Sequence, residues 1–80
     1  MQQHEVTLLV RADCHACGAA REDIARICAE LDVPWRISDV DADPELRAEY
    51  GDRVPVILVD GREHGFWTVR ERRLRAALTR

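Results

Sequence analysis

The sequence predicts an α/β fold with the element order β-α-β-α-β-β-α, in which a four-stranded mixed sheet packs with three helices. A short apolar run, VTLLV, is followed by a long segment whose apolar residues recur every three or four positions. Later, the pair Asp60-Gly61 separates two strand-like segments and favours a tight hairpin turn. The first strand, helix and strand form one right-handed crossover, and the hairpin adds antiparallel strands. The 80 residues predict a single domain that spans 1–80.

The first two fifths of the chain carry a strand and a long helix. The segment from Val6 to Val10 is β-branched and aliphatic on both faces, as expected of a central strand. The first helix is expected to begin just past Cys14 and to end near Asp32. The positions that give this helix an apolar face are Cys17, Ala20, Ile24, Ile27, Cys28 and Leu31.

A second strand and a short helix follow. The strand is expected from about Trp35 to Val40. Asp43 then provides an N-cap, and Pro44 suits the first helical position. The second helix is therefore predicted from Glu45 to Tyr50, where Gly51 ends it.

The last third of the chain predicts a hairpin and a closing helix. Strand three is expected from Val56 to Val59, and strand four continues through Phe66. The closing helix is expected from about Val69 to Thr79. The residues on its apolar side are Val69, Leu74, Ala77 and Leu78.

The composition is that of an ordinary globular domain, with 46% hydrophobic and 34% charged residues. The formal net charge of −3 gives no reason to expect nucleic acid as a partner. The segment VRERRLRAALTR holds five arginines against one glutamate, which is typical of a solvated helix face. All twelve basic residues are arginine, a bias that indicates a bacterial source.

The sequence shows neither a signal peptide nor a membrane span. MQQHEVTLLV lacks a basic region followed by a long apolar run, and the longest aliphatic stretch, VPVILV, has six residues. We therefore expect a cytoplasmic protein with no membrane partner. Structural disulfides rarely persist in that compartment, so close cysteine pairs there are usually catalytic or metal-binding.

The segment VRADCHACG places Cys14 and Cys17 three positions apart at the start of the first helix. Such positions lie about 5 to 6 Å apart on one helix face, within the range that a disulfide spans. Free backbone N–H groups and the helix dipole favour the thiolate of Cys14, the species that attacks disulfides. A protonated His15 would strengthen this effect, and Asp13 would oppose it. Two simpler interpretations carry equal weight: Asp13 as the N-cap of the helix, and His15 as a solvent-facing loop residue.

The third cysteine and several aromatic residues have structural interpretations. Cys28 lies about three turns after Cys17, roughly 16 Å along the helix axis, and is predicted to be a buried structural thiol. Trp67 is also a candidate to line a substrate groove. The aromatic residues expected in the core or at its rim are Trp35, Phe66 and Trp67. The histidines expected at the surface are His4 and His64.

Three features occur together in this chain. They are a strand that leads into Cys14-x-x-Cys17, the pair Val54-Pro55 before strand three, and the β-β-α ending. This combination resembles the thioredoxin superfamily, and the short length is most similar to glutaredoxin-like proteins. The stretch WRISDVDADPELRAEYGDRVPVILVDG resembles small bacterial members in particular. The resemblance covers nearly the whole chain and implies a thioredoxin-like fold.

The resemblance also implies roles for individual residues. Cys14 would be the exposed attacking thiol, and Cys17 would be the resolving thiol. Pro55 would be a cis proline packed against the pair, and the main chain of Val54 would pair with the substrate backbone. Arg11 stands three positions before Cys14, where glutaredoxins commonly carry a basic residue that meets a glutathione carboxylate. The predicted substrate-binding residues are Arg11, His15, Val54, Pro55 and Gly65.

Two positions depart from the glutaredoxin pattern. The Gly-Gly pair that follows strand four is Gly65-Phe66 here, and the acidic residue expected shortly afterwards is Thr68. Phe66 would crowd a backbone approach that glycine permits, and Thr68 cannot hold a cationic amine with a full charge. Another low-molecular-weight thiol or a protein disulfide is therefore an alternative substrate to glutathione.

These observations predict a monomeric thiol-disulfide oxidoreductase that reduces protein or small-thiol mixed disulfides, with no cofactor and no bound metal. Two alternatives stay open. The cysteine pair also suits a module that binds copper, zinc or an iron-sulfur cluster. Metal carriers of this kind usually have methionine where this chain has Ala12, and a zinc site needs two further ligands. The second alternative is a non-catalytic thioredoxin-fold interaction domain.

Overall fold

The computed structural model describes residues 4–80 and contains the predicted elements in the predicted order. The strands are β1 (Val6–Val10), β2 (Trp35–Asp39), β3 (Val56–Val59) and β4 (Arg62–Phe66). The helices are α1 (His15–Leu31), α2 (Pro44–Tyr50) and α3 (Glu71–Leu78). A 3-10 turn (Val40–Ala42) that the sequence does not predict joins β2 to α2.

The strands form one mixed sheet in the order β2-β1-β3-β4. β1 pairs in parallel with β2 and antiparallel with β3, and β3 pairs antiparallel with β4. The predicted topology is confirmed. β1 is a central strand, which explains why its residues are apolar on both faces.

The two faces of the sheet bury separate cores, because neighbouring residues of a strand point to opposite faces. The larger core, between the sheet and helices α1 and α3, contains Val6, Leu8, Ala20, Ile24, Ile27, Cys28, Val33, Ile57, Leu74 and Leu78. The smaller core contains Leu9, Val40 and Val56, with Leu46 and Tyr50 of α2 packed against it. Most of the buried apolar surface therefore depends on α1 and α3.

Exposed ion pairs connect α3 to α1. Glu71 accepts hydrogen bonds from Arg26 at 2.8 Å and from Arg75 at 2.8 Å, and Arg75 also pairs with Glu30 at 2.8 Å. Hydrogen bonds from Arg26 and then Arg75 lower the pKa of Glu71 to about 2. Since exposed pairs contribute little individually, the buried side chains of α3 carry most of its attachment.

The hairpin turn between β3 and β4 is confirmed at Asp60 and Gly61, which both have positive φ, 55° and 83°. Such backbone angles match the twist of a two-residue hairpin. The Asp60 carboxylate accepts the Glu5 N–H at 2.9 Å and contacts Nδ1 of His4 at 2.6 Å. The hydrogen bond with Asp60 raises the pKa of His4. His4 is therefore a half-buried, hydrogen-bonded residue and not a free surface histidine.

The boundaries of α2 differ slightly from the prediction. Asp43 is the N-cap, and its carboxylate accepts the Glu45 N–H at 2.9 Å, but the helix already includes Pro44. Gly51 ends it in right-handed geometry, with φ of −57°. A Cβ at Gly51 would lie 2.5 Å from the carbonyl oxygen of Arg47, so close approach explains the glycine here. Within residues 4–80, no helix combines the length and the apolar character that crossing a membrane requires.

Candidate active site

The two cysteines of the CHAC motif form a disulfide at the start of α1. Their Cα atoms are 5.4 Å apart, as the helical spacing predicts. Cys14 occupies the N-cap position and is half-buried, whereas Cys17 lies one turn later and is 7% exposed. Of the two cysteines, Cys14 is therefore the more accessible to solvent.

The interpretation of Asp13 as the N-cap of α1 is wrong. The N-cap is Cys14, and it makes no side-chain capping hydrogen bond. Asp13 instead has a φ of 62°, the left-handed conformation that Asp and Asn adopt more readily than most residues. It makes the turn that carries the chain from β1 into α1.

The peptide bond between Val54 and Pro55 is cis, as the resemblance implies. Pro55 is fully buried, and its carbonyl oxygen accepts the backbone N–H of Trp67 at 2.7 Å. Val54 precedes it and is half-buried. Neither backbone group of Val54 forms a hydrogen bond with another residue of the range 4–80.

A cavity of about 420 Å³ opens beside Cys14. Its lining residues are Arg11, Ala12, Asp13, Cys14, Asp41 and Val54. The end of β1, the turn before α1, the 3-10 turn and the segment before β3 therefore meet around the exposed sulfur. Cys14, Arg11 and Val54, three of the predicted site residues, lie together here.

The guanidinium of Arg11 is held by two partners from other parts of the fold. Nε donates to one carboxylate oxygen of Asp41 at 3.2 Å, and Nη2 lies 3.1 Å from the other. Nη1 donates to the carbonyl oxygen of Gly51 at 3.1 Å. The predicted contact of Arg11 with a substrate carboxylate stays a prediction, because this cation already has an internal counter-ion.

Asp41 is the site residue that the sequence does not reveal. It lies in the 3-10 turn, and its backbone N–H donates to the Asp39 carboxylate at 2.8 Å. The segment DVDAD offered only a weak signal, since alternating acids before a helix usually act as caps. Asp39 and Asp43 do so here, while Asp41 turns toward Arg11.

The other predicted substrate-binding residues lie outside this cavity. His15 is the exposed first residue of α1. Gly65 is opposite Ile57 in the β3–β4 pair and lines a separate cavity of about 490 Å³. Trp67 lines both that cavity and a smaller one against the first turns of α1.

Two exposed aromatic residues extend this surface. Phe66 is 40% and Trp67 is 56% exposed, and their rings pack edge to face with centroids 5.0 Å apart. Trp67 has a φ of 71°. Its backbone N–H donates to the Pro55 carbonyl oxygen, which connects its backbone to the cis-proline segment. The pair is a rim feature, as the sequence predicts, and not part of the core.

The third cysteine and His64 lie away from the disulfide. Cys28 is a free, buried thiol, as predicted, and burial raises its pKa. His64 was expected at the surface, but Nε2 of its ring is buried and has no hydrogen-bond partner within residues 4–80. Burial, followed by the charges of Arg73 and Arg80, lowers the pKa of His64. No group of three or more His, Cys, Asp or Glu side chains in residues 4–80 is placed to hold a metal ion.

The model of the family described as "Glutaredoxin-like domain" matches residues 5–79. An uncharacterized protein of Mycobacterium tuberculosis is 46% identical over 85 aligned residues, which cover 100% of this chain and 88% of the relative. Mycobacterium bovis has an uncharacterized protein with the same identity and coverage.

Solved structures agree with this match. The X-ray structure of protein XcR50 from X. campestris is 39% identical, covers 92% of this chain and 95% of its own, and has a TM-score of 0.72. The NMR structure of protein Ne2328 from Nitrosomonas europaea has a TM-score of 0.85 at 19% identity, over 98% of this chain and 94% of its own. Thioredoxin 1 of Thermosipho africanus shares the fold, with a TM-score of 0.65 at 18% identity over 94% of each chain. The fold is thioredoxin-like, and the chain belongs to the glutaredoxin-like domain family.

Proposed function

We propose that this chain is a thiol-disulfide oxidoreductase that reduces disulfides with the dithiol of Cys14 and Cys17. The observation that carries the proposal is the asymmetry of the pair: the half-buried Cys14 borders an open cavity, and Cys17 is buried within bonding distance. A disulfide that served only stability would gain nothing from placing one cysteine beside a cavity.

The reaction has two exchange steps. The Cys14 thiolate attacks one sulfur of the substrate disulfide, so a Cys14–substrate bond forms, the substrate S–S bond breaks, and the departing thiolate takes a proton from water. The Cys17 thiolate then attacks the Cys14 sulfur and releases the second substrate thiol. The substrate gains two electrons and two protons, and the protein is left with its Cys14–Cys17 disulfide. An external dithiol or low-molecular-weight thiol regenerates the reduced form.

The start of α1 supports the first step. The backbone N–H groups of His15 and Ala16 in the first turn have no backbone partner within residues 4–80, and the positive end of the helix dipole lies at the N-cap, which is Cys14. Both effects favour a thiolate over a thiol at this position. In the second step, the one-turn spacing keeps the resolving sulfur within reach of the mixed disulfide.

The segment before β3 supports substrate alignment. Val54 lines the cavity with Cys14, and its backbone N–H and carbonyl are free of hydrogen bonds to residues 4–80. An extended substrate segment beside Cys14 would satisfy these groups, in the way that strands pair along an exposed edge. This role remains the predicted one for Val54 and the cis Pro55.

The proposal is tested by counting reactive thiols and measuring a potential. Mass analysis after alkylation should show two thiols that appear together on reduction, with a reduction potential between about −270 and −120 mV. Cys17→Ser should trap a mixed disulfide at Cys14 with a model protein disulfide, and Cys14→Ser should trap none. Cys28→Ala is the matched control, since its buried thiol lies outside the pair.

The same experiment separates the alternatives. Zinc or copper is added to the reduced protein before alkylation. Stoichiometric protection of Cys14 and Cys17 by metal, with no reversible disulfide, would contradict the proposal and favour a soft-metal module. A pair that forms a disulfide but traps no substrate in Cys17→Ser would favour a non-catalytic domain.

A further inference from the structure

The cavity beside Cys14 is lined by one cation and two carboxylates, although glutathione, the substrate that the resemblance suggests, is itself an anion. Among residues 4–80, the cation that lines it is Arg11, and the Asp41 carboxylate contacts two nitrogens of that guanidinium, Nε and Nη2. The Gly51 carbonyl takes a third N–H. A carboxylate on an incoming substrate would have to displace Asp41 to gain the same contacts.

A second carboxylate in the cavity has no counter-ion. Asp13 lies directly before Cys14 and makes no ion pair or side-chain hydrogen bond within residues 4–80. Its left-handed backbone at the turn keeps it at the cavity wall. With Arg11 matched by Asp41, Asp13 is the charged side chain without a counter-ion among the residues that line this cavity.

Asp41 makes hydrogen bonds through both its backbone and its side chain. Its backbone N–H donates to the Asp39 carboxylate at 2.8 Å, and its side chain binds Arg11 at the end of β1. The pair therefore links the 3-10 turn to the strand that leads into the cysteine motif. Asp41 is therefore the counter-ion of Arg11 within residues 4–80.

We propose that the cavity selects disulfides whose groups beside the reacting sulfurs are neutral or cationic and discriminates against those that carry carboxylates there. This inference rests on the proposed function and names the substrate class of the same site. The exchange steps are unchanged: the Cys14 thiolate forms the new S–S bond, and the leaving thiolate takes the electron pair of the broken one. Asp13 and Asp41 act on the charge of the approaching disulfide and are specificity residues.

The size of the effect follows from Coulomb attraction in water. In water, attraction or repulsion between two unit charges about 8 Å apart changes a rate about 2.4-fold, so a probe with one positive charge should react about 6-fold faster than a probe with one negative charge. The ratio should fall toward one as salt rises from about 0.01 M to about 1 M, because the Debye length falls from about 30 Å to about 3 Å.

The experiment uses three small disulfides: cystamine, which is cationic, bis-hydroxyethyl disulfide, which is neutral, and dithiodipropionate, which is anionic. Their rates with the reduced full-length protein are divided by their rates with dithiothreitol, which removes differences in intrinsic reactivity. The expected order is cationic, then neutral, then anionic.

Single-site variants assign the effect to its residues. Asp13→Asn keeps the shape and tolerates the left-handed backbone, so it should lower the cation-to-anion ratio about 6-fold, to about one. Asp41→Asn frees Arg11 and should lower the ratio by a similar factor, and the double variant should favour the anionic probe. Glu22→Gln, an exposed change on α1 outside the cavity, should leave the ratio unchanged. If Asp41→Asn fails to fold, Asp13→Asn and the salt series still decide the question.

The outcomes separate this inference from the proposed function. If the reduced protein reacts with none of the three probes, both the oxidoreductase proposal and the proposed charge selection are wrong. If it reduces all three with a normalised ratio at or below one, only the charge selection is overturned. A cation-to-anion ratio that changes neither in Asp13→Asn nor with salt would also overturn the charge selection alone.

Discussion

Reduction of the Cys14–Cys17 disulfide is predicted to lower the free energy of unfolding by at most about 2 kcal/mol. The bond joins residues only three positions apart, so it restricts few conformations of the unfolded chain. The chain-entropy relation for so short a loop gives about 2 kcal/mol at 25 °C. Stabilisation of the Cys14 thiolate by the start of α1 in the reduced fold makes the net difference smaller.

This magnitude is small beside the expected stability of the fold. A domain of 80 residues is stable by roughly 4 to 12 kcal/mol, at about 0.05 to 0.15 kcal/mol per residue. Both cores consist of residues outside the disulfide loop. The reduced protein should therefore stay folded, as a redox cycle requires, whereas loss of a structural disulfide from a small domain often abolishes folding.

The assay is urea unfolding of the oxidised and the dithiothreitol-reduced protein, followed by circular dichroism. The two curves should have equal slopes and midpoints that differ by the predicted free energy. A variant with serine at both Cys14 and Cys17 is the control, and reductant should not shift its midpoint. A decrease of more than about 4 kcal/mol in the free energy of unfolding on reduction, or a reduced chain that does not fold, would show that the disulfide is needed for stability. Either result would refute the reasoning.

Three further predictions concern the core, the surface and the rim. Leu74→Ala should lower the free energy of unfolding by about 2 to 5 kcal/mol, because it leaves a cavity under α3, and urea titration measures this. The pKa of Glu71 is about 2 and that of an unfolded glutamate about 4.5, so its pairing with Arg26 and Arg75 stabilises the fold above pH 4.5. That contribution should disappear as pH falls to 2, and the melting temperatures of wild type and Glu71→Gln should converge over this interval. Trp67→Asn removes an exposed ring while suiting a positive φ, so it should slow reduction of a protein disulfide several-fold and leave bis-hydroxyethyl disulfide unaffected. Equal slowing of the reduction of both substrates would contradict the prediction that Trp67 lines a groove for protein substrates.

The elements were predictable where their signals are local. Asp60-Gly61 specifies a hairpin because both residues must adopt positive φ, and Asp43-Pro44 marks a helix start through a side-chain cap and a fixed φ. The apolar run of β1 indicated a central strand because both of its faces had to be buried. Each of these inferences needs only residues that are neighbours in sequence.

Features that depend on a distant partner were missed or misread. The role of Asp41 depends on a contact with Arg11 across 30 positions, and nothing in DVDAD specifies it. His64 lies where the β3–β4 register shifts, with Leu58 opposite Glu63 and Ile57 opposite Gly65. It is the extra residue of a bulge, which a single strand cannot reveal.

The cis state of the Val54-Pro55 bond could be predicted from the family resemblance but not from the local sequence. Base rates for proline alone favour the trans isomer, so local reasoning predicts the wrong state. The resemblance supplied the expectation, and the fold confirms it with Pro55 buried and its carbonyl bound to Trp67. This contact comes from Trp67, the residue after β4, and so lies outside the local sequence.

Unequal burial of the cysteines supports the order of the two proposed exchange steps. A disulfide exchange needs a sulfur that an outside disulfide can approach along the S–S axis, and Cys17 is 7% exposed while Cys14 borders the cavity. Cys17 can still reach the Cys14 sulfur, because one helical turn separates them and no backbone movement is needed. The geometry that protects Cys17 from direct attack therefore suits its proposed role as the resolving thiol. In the proposed reaction Cys14 meets the substrate and Cys17 releases it, and α1 favours this order because it places Cys14 at its N-cap and Cys17 inside the fold.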